Sequence, residues 1–179
     1  MNKAVIIPTG GEILDGTVLD TDSPMIQALL QKKFRNITVT VERPVEDVED
    51  DICTQVRLAV EQGADLVIVI GGSGGGHRYS TTLAKDYTHT GLAKLLEETA
   101  ITSLYGKNGH LWSRLVCGRL GSAIVFNVPG PYHEAKHAME AVCGMDEINI
   151  SNIGAINTKI ALAVQSCYTR RKNNERNDE

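Results

Sequence analysis

The residues best suited to chemistry in this chain lie in one stretch, DLVIVIGGSGGGHRYSTTLA, from Asp65 to Ala84. An apolar run from Leu66 to Ile70 ends at Gly71, and five of the six residues 71–76 are glycine, Ser73 being the exception. Glycine lets backbone N–H groups close around an anion in a concave nest. Arg78 and the hydroxyls of Tyr79, Ser80, Thr81 and Thr82 follow directly. No Gly-Lys-Ser/Thr closes the run, so it is not a Walker A loop, and it is not GxGxxG either. Two readings stand side by side: a plain surface loop, or a phosphate cradle. Its place after a central buried strand favours the cradle.

Three further groups carry candidate chemistry. In SRLVCGRLGSAIVFNVPGP, Arg114 offers a planar fork for a phosphate or carbonyl, and Ser113 a hydroxyl. Pro129-Gly130-Pro131 forces a sharp turn, which by itself is ordinary chain reversal. In PTGGEIL, Glu12 stands just past a strand end, where a carboxylate can bind a hard cation or cap a backbone group. Asp20 and Asp22 follow at a helix start. His133 and His137 stand at i,i+4 on a predicted helix, but without a third ligand a solvated helix face is the better reading. No nucleophile elbow is present.

The elements that must position these residues read as an alternation. Lys3–Pro8 is a buried strand and TGGEILDG a loop. Asp20–Phe34 is a helix with Met25, Ile26, Leu29 and Leu30 on one face, capped by Thr21, Asp22 or Ser23. Ile37–Val41 is a strand. The acidic PVEDVEDD opens a helix that Gly63 ends. Leu66–Ile70 is apolar throughout, as in a parallel sheet covered on both faces. A helix over Thr90–Thr99, strands over Leu111–Cys117 and Ser122–Val128, and helices over Tyr132–Val142 and Lys159–Tyr168 complete the reading. This order predicts a three-layer, doubly wound α/β domain with a mostly parallel sheet over residues 1–170. Residues 171–179 are polar and are expected to form a disordered tail. Ligands of such sheets bind beyond the carboxyl ends of the strands, so TGGE, PVED, GGSGGG and VPGP should gather at one edge.

Composition narrows the function classes. Lys and Arg number 18 against 22 Asp and Glu, a formal charge of -4. That leaves no electrostatic footprint for nucleic acid, and one Trp, two Phe and five Tyr supply no stacking platform. An anionic ligand must therefore be held by local groups. No apolar run is long enough to span a membrane. Cys53, Cys117, Cys143 and Cys167 form no CxxC pair. A reducing cytoplasm is the expected location.

Taken in order, these segments resemble the molybdopterin-binding domain of the molybdenum-cofactor biosynthesis proteins (MogA, MoaB, the G domain of gephyrin, and more distantly MoeA and CinA). WSRLVCGRLGSAIVFNVPGP carries the family's Ser-Arg, small-residue turn, apolar strand and Pro-Gly turn. DLVIVIGGSG looks like its Gly-Gly-Thr-Gly loop, and PTGGEIL with DTDS is similar to the Thr-Gly-x-Glu and Asp-Thr-Asn-Ser of the MoeA and CinA branches. The resemblance implies a MogA-like fold, homo-oligomers (trimers above all), other cofactor-assembly proteins as partners, and a site for molybdopterin. It implies ligand contacts from Gly71, Gly72, Ser73, Gly74, Gly75, Arg78, Thr81, Ser113, Arg114, Pro129 and Gly130. It also implies catalytic and metal-binding carboxylates at Glu12 and at Asp47, or Glu46 within a one-residue shift.

MogA-type members transfer an adenylyl group from Mg-ATP to the molybdopterin phosphate, and there an aspartate follows the arginine. Here Tyr79 takes that place, and a phenol with a pKa of about 10 is a poor ligand for Mg2+ at neutral pH. Three expectations follow: an adenylyltransferase-like enzyme, a pterin carrier or sensor without catalysis, or a CinA-type nucleotide pyrophosphatase.

Overall fold

The computed structural model describes residues 1–74, 87–107 and 109–174, with side chains of the last helix as far as Tyr168. The chain runs β1 (Lys3–Pro8), α1 (Gly11–Leu14), α2 (Asp22–Lys33), β2 (Thr38–Val41), α3 (Glu49–Glu61), β3 (Leu66–Ile70) and α4 (Thr88–Leu95). It continues through β4 (Glu98–Tyr105), β5 (Leu111–Leu120), β6 (Ala123–Val128), α5 (Tyr132–Cys143), a 3-10 turn at Ile150–Asn152 and α6 (Ile153–Asn174).

The six strands form one sheet in the order β2-β1-β3-β6-β5-β4. The β2-β1, β1-β3 and β3-β6 ladders are parallel, while β6-β5 and β5-β4 are antiparallel. This is the expected three-layer α/β architecture, with the sheet mixed rather than uniform. Central strands alternate between two cores. Ala4, Ile6, Ile68, Ile70, Phe126 and Val128 pack with Ile26 and Leu30 of α2, Met139 of α5 and Ile156 and Ile160 of α6. Val5, Ile7, Val67, Val69 and Val125 pack with Ile52 and Val56 of α3 and Leu92 of α4. Every residue of β3 is at most 1% exposed. At about 1.5–3 kcal/mol per large apolar side chain, such burial holds the sheet ends in place.

Four sequence expectations need correction. TGGEILDG is not wholly a loop, because Gly11–Leu14 makes one helical turn. The helix expected over Thr90–Thr99 stops at Leu95, and ETAITSLY from Glu98 is a strand paired with β5. Its β-branched residues favour the extended chain, but its mixed polarity hides a half-exposed edge strand. The strand expected to end at Cys117 runs to Leu120. The last helix starts at Ile153, well before Lys159, and continues to Asn174, into the segment expected to be a tail. Among the described residues no helix is long and apolar enough to cross a membrane.

Candidate functional site

The chain leaves β1 to build β2 on one side, then crosses back to build β3 on the other. The carboxyl ends of β1 and β3 therefore flank a topological switch point, the place where open α/β sheets bind ligands. Backbone bonds stitch the expected loops together there. Thr9 N donates to Ile70 O at 2.9 Å, Gly10 N to Val45 O at 3.0 Å and Gly71 N to Val128 O at 3.1 Å. The segments TGGE, PVED, GGSG and VPGP share one edge.

The glycines after β3 are dictated by both conformation and space. Gly71, Gly72 and Gly74 have φ of 94°, 55° and 84°, a region that side chains avoid. A Cβ on Gly71 would stand 2.8 Å from Thr9 Oγ1, and one on Gly72 would stand 2.7 Å from Thr88 Cβ and 2.8 Å from Asp47 Oδ1. Asp47, in the loop before α3, thus lies against the glycine loop, where its Oδ1 accepts from Tyr87 N at 3.3 Å. Glu12 on α1 folds back toward Gly10, and Glu46 lies beside Gly11. Pro129 and Gly130 follow β6, with the Gly130 position in ordinary contact range of Gly71. Among the described residues no three His, Cys, Asp or Glu side chains stand together as a metal-holding group. Gly75, Arg78 and Thr81, like Tyr79, lie outside the described residues.

Ser113 and Arg114 are brought to the same loop from the start of β5. Arg114 N donates to Ser73 O at 2.6 Å, and the Ser73 and Ser113 hydroxyl oxygens are 3.4 Å apart. Arg114 Nε is buried and has no hydrogen-bond partner among the described residues. A buried guanidinium N–H left unpaired is costly, and an acceptor arriving at this edge would relieve it.

Sequence reasoning missed the residues that make this arrangement hold. β5 pairs with β6 only over Cys117–Leu120. Upstream, side-chain amides replace the ladder. Asn127, fully buried, accepts from Val116 N at 2.7 Å and donates to Arg114 O at 3.1 Å. Asn157 of α6 donates to Leu115 O at 3.0 Å and accepts from Thr102 Oγ1. On the other side, Thr9 Oγ1 donates to Ile70 O at 2.9 Å. His89 approaches Gly72 O with its backbone N–H at 3.3 Å and ring Nδ1 at 3.2 Å. The available signal was Asn127 itself, a single amide inside the apolar run AIVFNV.

The acidic N-terminal motif lies nearby. Asp20 Oδ1 accepts from Asp22 N at 3.1 Å and Ser23 N at 2.9 Å, so the Asp20 side chain satisfies the first amides of α2, while Thr21 holds the N-cap position without a side-chain bond. Asp22 is 7% exposed, and its Oδ1 has no partner among the described residues. Burial first, then the charge of Asp20, pushes its pKa up to about 6. Leu19, Asp20, Thr21 and Pro24 form a cavity of about 530 Å3 with Tyr132, the first residue of α5 after the Pro-Gly-Pro turn. His133 and His137 lie one turn apart on α5. His137 Nδ1 bonds the His133 carbonyl at 2.7 Å, within the helix.

The comparisons fit this geometry. A family model described as a probable molybdopterin binding domain matches residues 5–147. A CinA-like protein of Mycobacterium tuberculosis is 37% identical over 75 residues, covering 40% of this chain and 16% of that protein. A molybdenum cofactor biosynthesis bifunctional protein of Chlorobaculum tepidum is 27% identical over 145 residues, covering 78% of this chain and 45% of the other. The chain thus spans less than half the length of these relatives. Among solved structures, MoaB of Thermus thermophilus superposes with a TM-score of 0.61 at 20% identity, covering 92% of this chain and 98% of that one. A molybdopterin biosynthesis protein of Mycobacterium abscessus gives 0.62 at 21%, covering 94% and 98%. CinA of Thermoplasma acidophilum gives 0.60 at 20%, covering 79% and 95%. At these identities the structural likeness is one of fold.

Proposed function

The chain belongs to the molybdopterin-binding domain family, and from that premise we propose that it binds molybdopterin at the switch-point edge and serves molybdenum-cofactor assembly. The observation that carries this reading is Arg114 Nε, a buried donor without a partner among the described residues, beside a glycine loop where Gly71 and Gly72 leave no room for side chains. These features fit an anionic ligand: backbone N–H groups and a guanidinium suit a phosphate or a pterin carbonyl. When bound, molybdopterin supplies a dithiolene and a terminal phosphate. Gly71 to Gly75, with Arg78, Thr81 and Ser113, would line the cradle, and Pro129 and Gly130 would close it from the β6 side.

Adenylyl transfer from ATP is the finer proposal. Glu12 and Asp47 would hold Mg2+, with Asp47 backed by its contact to the loop at Tyr87. Tyr79 stands where the MogA pattern has aspartate, so we place the protein closer to a binder than to an efficient transferase. Titration of the purified chain with molybdopterin tests the binding. Saturable binding at micromolar ligand is expected, and its absence refutes the reading. Adenylyl transfer measured for the native chain and for Tyr79→Asp separates the rest. Native activity rules out the pure carrier, and activity gained only in the variant supports it.

A second reading, a nucleotide pyrophosphatase of the CinA kind, is favoured by the 37% identity over 75 residues to a CinA-like protein. Metal-dependent hydrolysis of ADP-ribose, with no molybdopterin binding, would select it. A homo-oligomer in the cytoplasm, trimeric by analogy, remains the proposed setting.

A further inference from the structure

The start of α4 is fastened to the glycine loop through one carbonyl. Tyr87, at the N-cap position, makes no side-chain cap bond. The first amides of a helix need acceptors outside it, and the amide of His89 finds one in Gly72 O at 3.3 Å. The His89 ring brings Nδ1 to the same oxygen at 3.2 Å. A carbonyl only accepts, so Nδ1 carries the hydrogen, in the neutral and the charged imidazole alike. His89 is 9% exposed, and Gly72, at positive φ, lies close against Thr88 of the same helix.

That hold sets a direction for the next amide. The peptide between Gly72 and Ser73 is trans, so its N–H points opposite to its C=O. With the carbonyl turned to α4, the Ser73 N–H faces away from that helix. Ser73 is 7% exposed, and its N–H meets no acceptor among the described residues. The Ser73 carbonyl is held as well, by Arg114 N at 2.6 Å. Arg114 in turn carries the buried Nε that has no partner among the described residues. Two donors lacking acceptors therefore belong to residues bonded to each other. Enclosed donors in folded chains are nearly always paired, and two together suit the oxygens of one anion.

We propose that the Ser73 N–H is the loop's donor to an anionic oxygen of the ligand, and that His89 is the positioning residue that aims it by holding the Gly72 carbonyl. The ligand half rests on the binding function proposed above, but the hold on the loop can be read without any ligand. Three variants of the full chain separate the donor from the bulk of the ring. His89→Asn keeps an N–H donor one bond from Cγ, His89→Phe keeps a ring without the donor, and His89→Ala removes both. Amide hydrogen exchange reads the hold at Arg114, whose N–H bonds the Ser73 carbonyl. Loss of one buried hydrogen bond predicts about tenfold faster exchange there in His89→Phe and His89→Ala, and a rate within about threefold of native in His89→Asn. The amides of Val67 and Val69 should not change. Molybdopterin titration should rank the proteins in the same order, with affinity about tenfold weaker in His89→Phe and His89→Ala. Saturating molybdopterin should slow exchange of the Ser73 amide itself about tenfold in native protein. A native-like Arg114 amide in His89→Phe, a His89→Asn variant no better than His89→Ala, or a rise spread evenly over β1, β3 and β6 would each overturn the role of His89. A Ser73 amide unchanged under saturating ligand would remove it as the donor. Native protein that binds no molybdopterin, with the exchange pattern as expected, refutes the binding reading and the donor half with it, and leaves the hold of His89 on Gly72 standing.

Discussion

Asp22→Asn should make the protein more stable, and by an amount that depends on pH. Asp22 is a buried carboxylate, 7% exposed, with one oxygen unpartnered among the described residues and Asp20 beside it. Its pKa is raised from 3.8 to about 6. Below pH 4 the carboxyl is protonated in folded and unfolded chains alike, and ionisation costs nothing. Between pH 4 and pH 6 the unfolded chain releases the proton while the folded one keeps it, so stability falls as pH rises. Above pH 6 the penalty is constant. A shift of this size at about 1.36 kcal/mol per pH unit amounts to about 3 kcal/mol. Asparagine carries no such charge. Its amide brings a solvation cost of its own, but one that does not vary with pH. Urea unfolding of native and Asp22→Asn protein from pH 4 to pH 8 reads the difference directly, because titrating groups that do not interact with Asp22 cancel. The gap in unfolding free energy should widen by about 3 kcal/mol toward pH 7 and then level off. A gap that stays flat across the range, or narrows as pH rises, would refute the assignment of a buried, charge-averse Asp22.

Other expectations follow from the site. Gly72→Ala forces a side chain into positive φ and against Thr88 and Asp47; it should cost about 2–4 kcal/mol, whereas Gly130→Ala, with its nearest neighbour at 3.7 Å, should be nearly silent in thermal unfolding. Asn127→Ala orphans the Val116 N–H and the Arg114 carbonyl and should lower stability by about 2–4 kcal/mol in urea unfolding. Arg114→Lys should recover little of the molybdopterin affinity lost in Arg114→Ala, about tenfold or more by titration, since a lysine lacks the planar fork; equal affinity in both variants would show that charge alone suffices.

Much of the parallel half of the sheet was legible in sequence. β1, β3 and β6 are short apolar runs that end in glycine or proline, and burial on both faces leaves that mark whatever the neighbours are. The glycine loop and the Pro-Gly turn were visible because positive φ and chain reversal are requirements of single residues, while the Ser-Arg pair stood out through the guanidinium's chemistry and the family resemblance. Strand β4 was not legible. Its outer edge is unpaired and half exposed, so its pattern carries little of the sheet, and only the ladder to β5 makes it a strand.

Tertiary structure decided what stands behind the site. In the sequence Asn127 and Asn157 are ordinary amides, and Tyr168 belongs to a helix expected only to close the domain. Folding places Asn157 against Leu115 and Tyr168 against Glu134, partners 42 and 34 residues apart. A buried amide or phenol must find its hydrogen bond somewhere, but no local pattern says where. The residue types at the carboxyl edge were written in the sequence, because backbone geometry and space at each position select them. Which distant side chains hold that edge still was decided only when three helices and a diverging strand packed together.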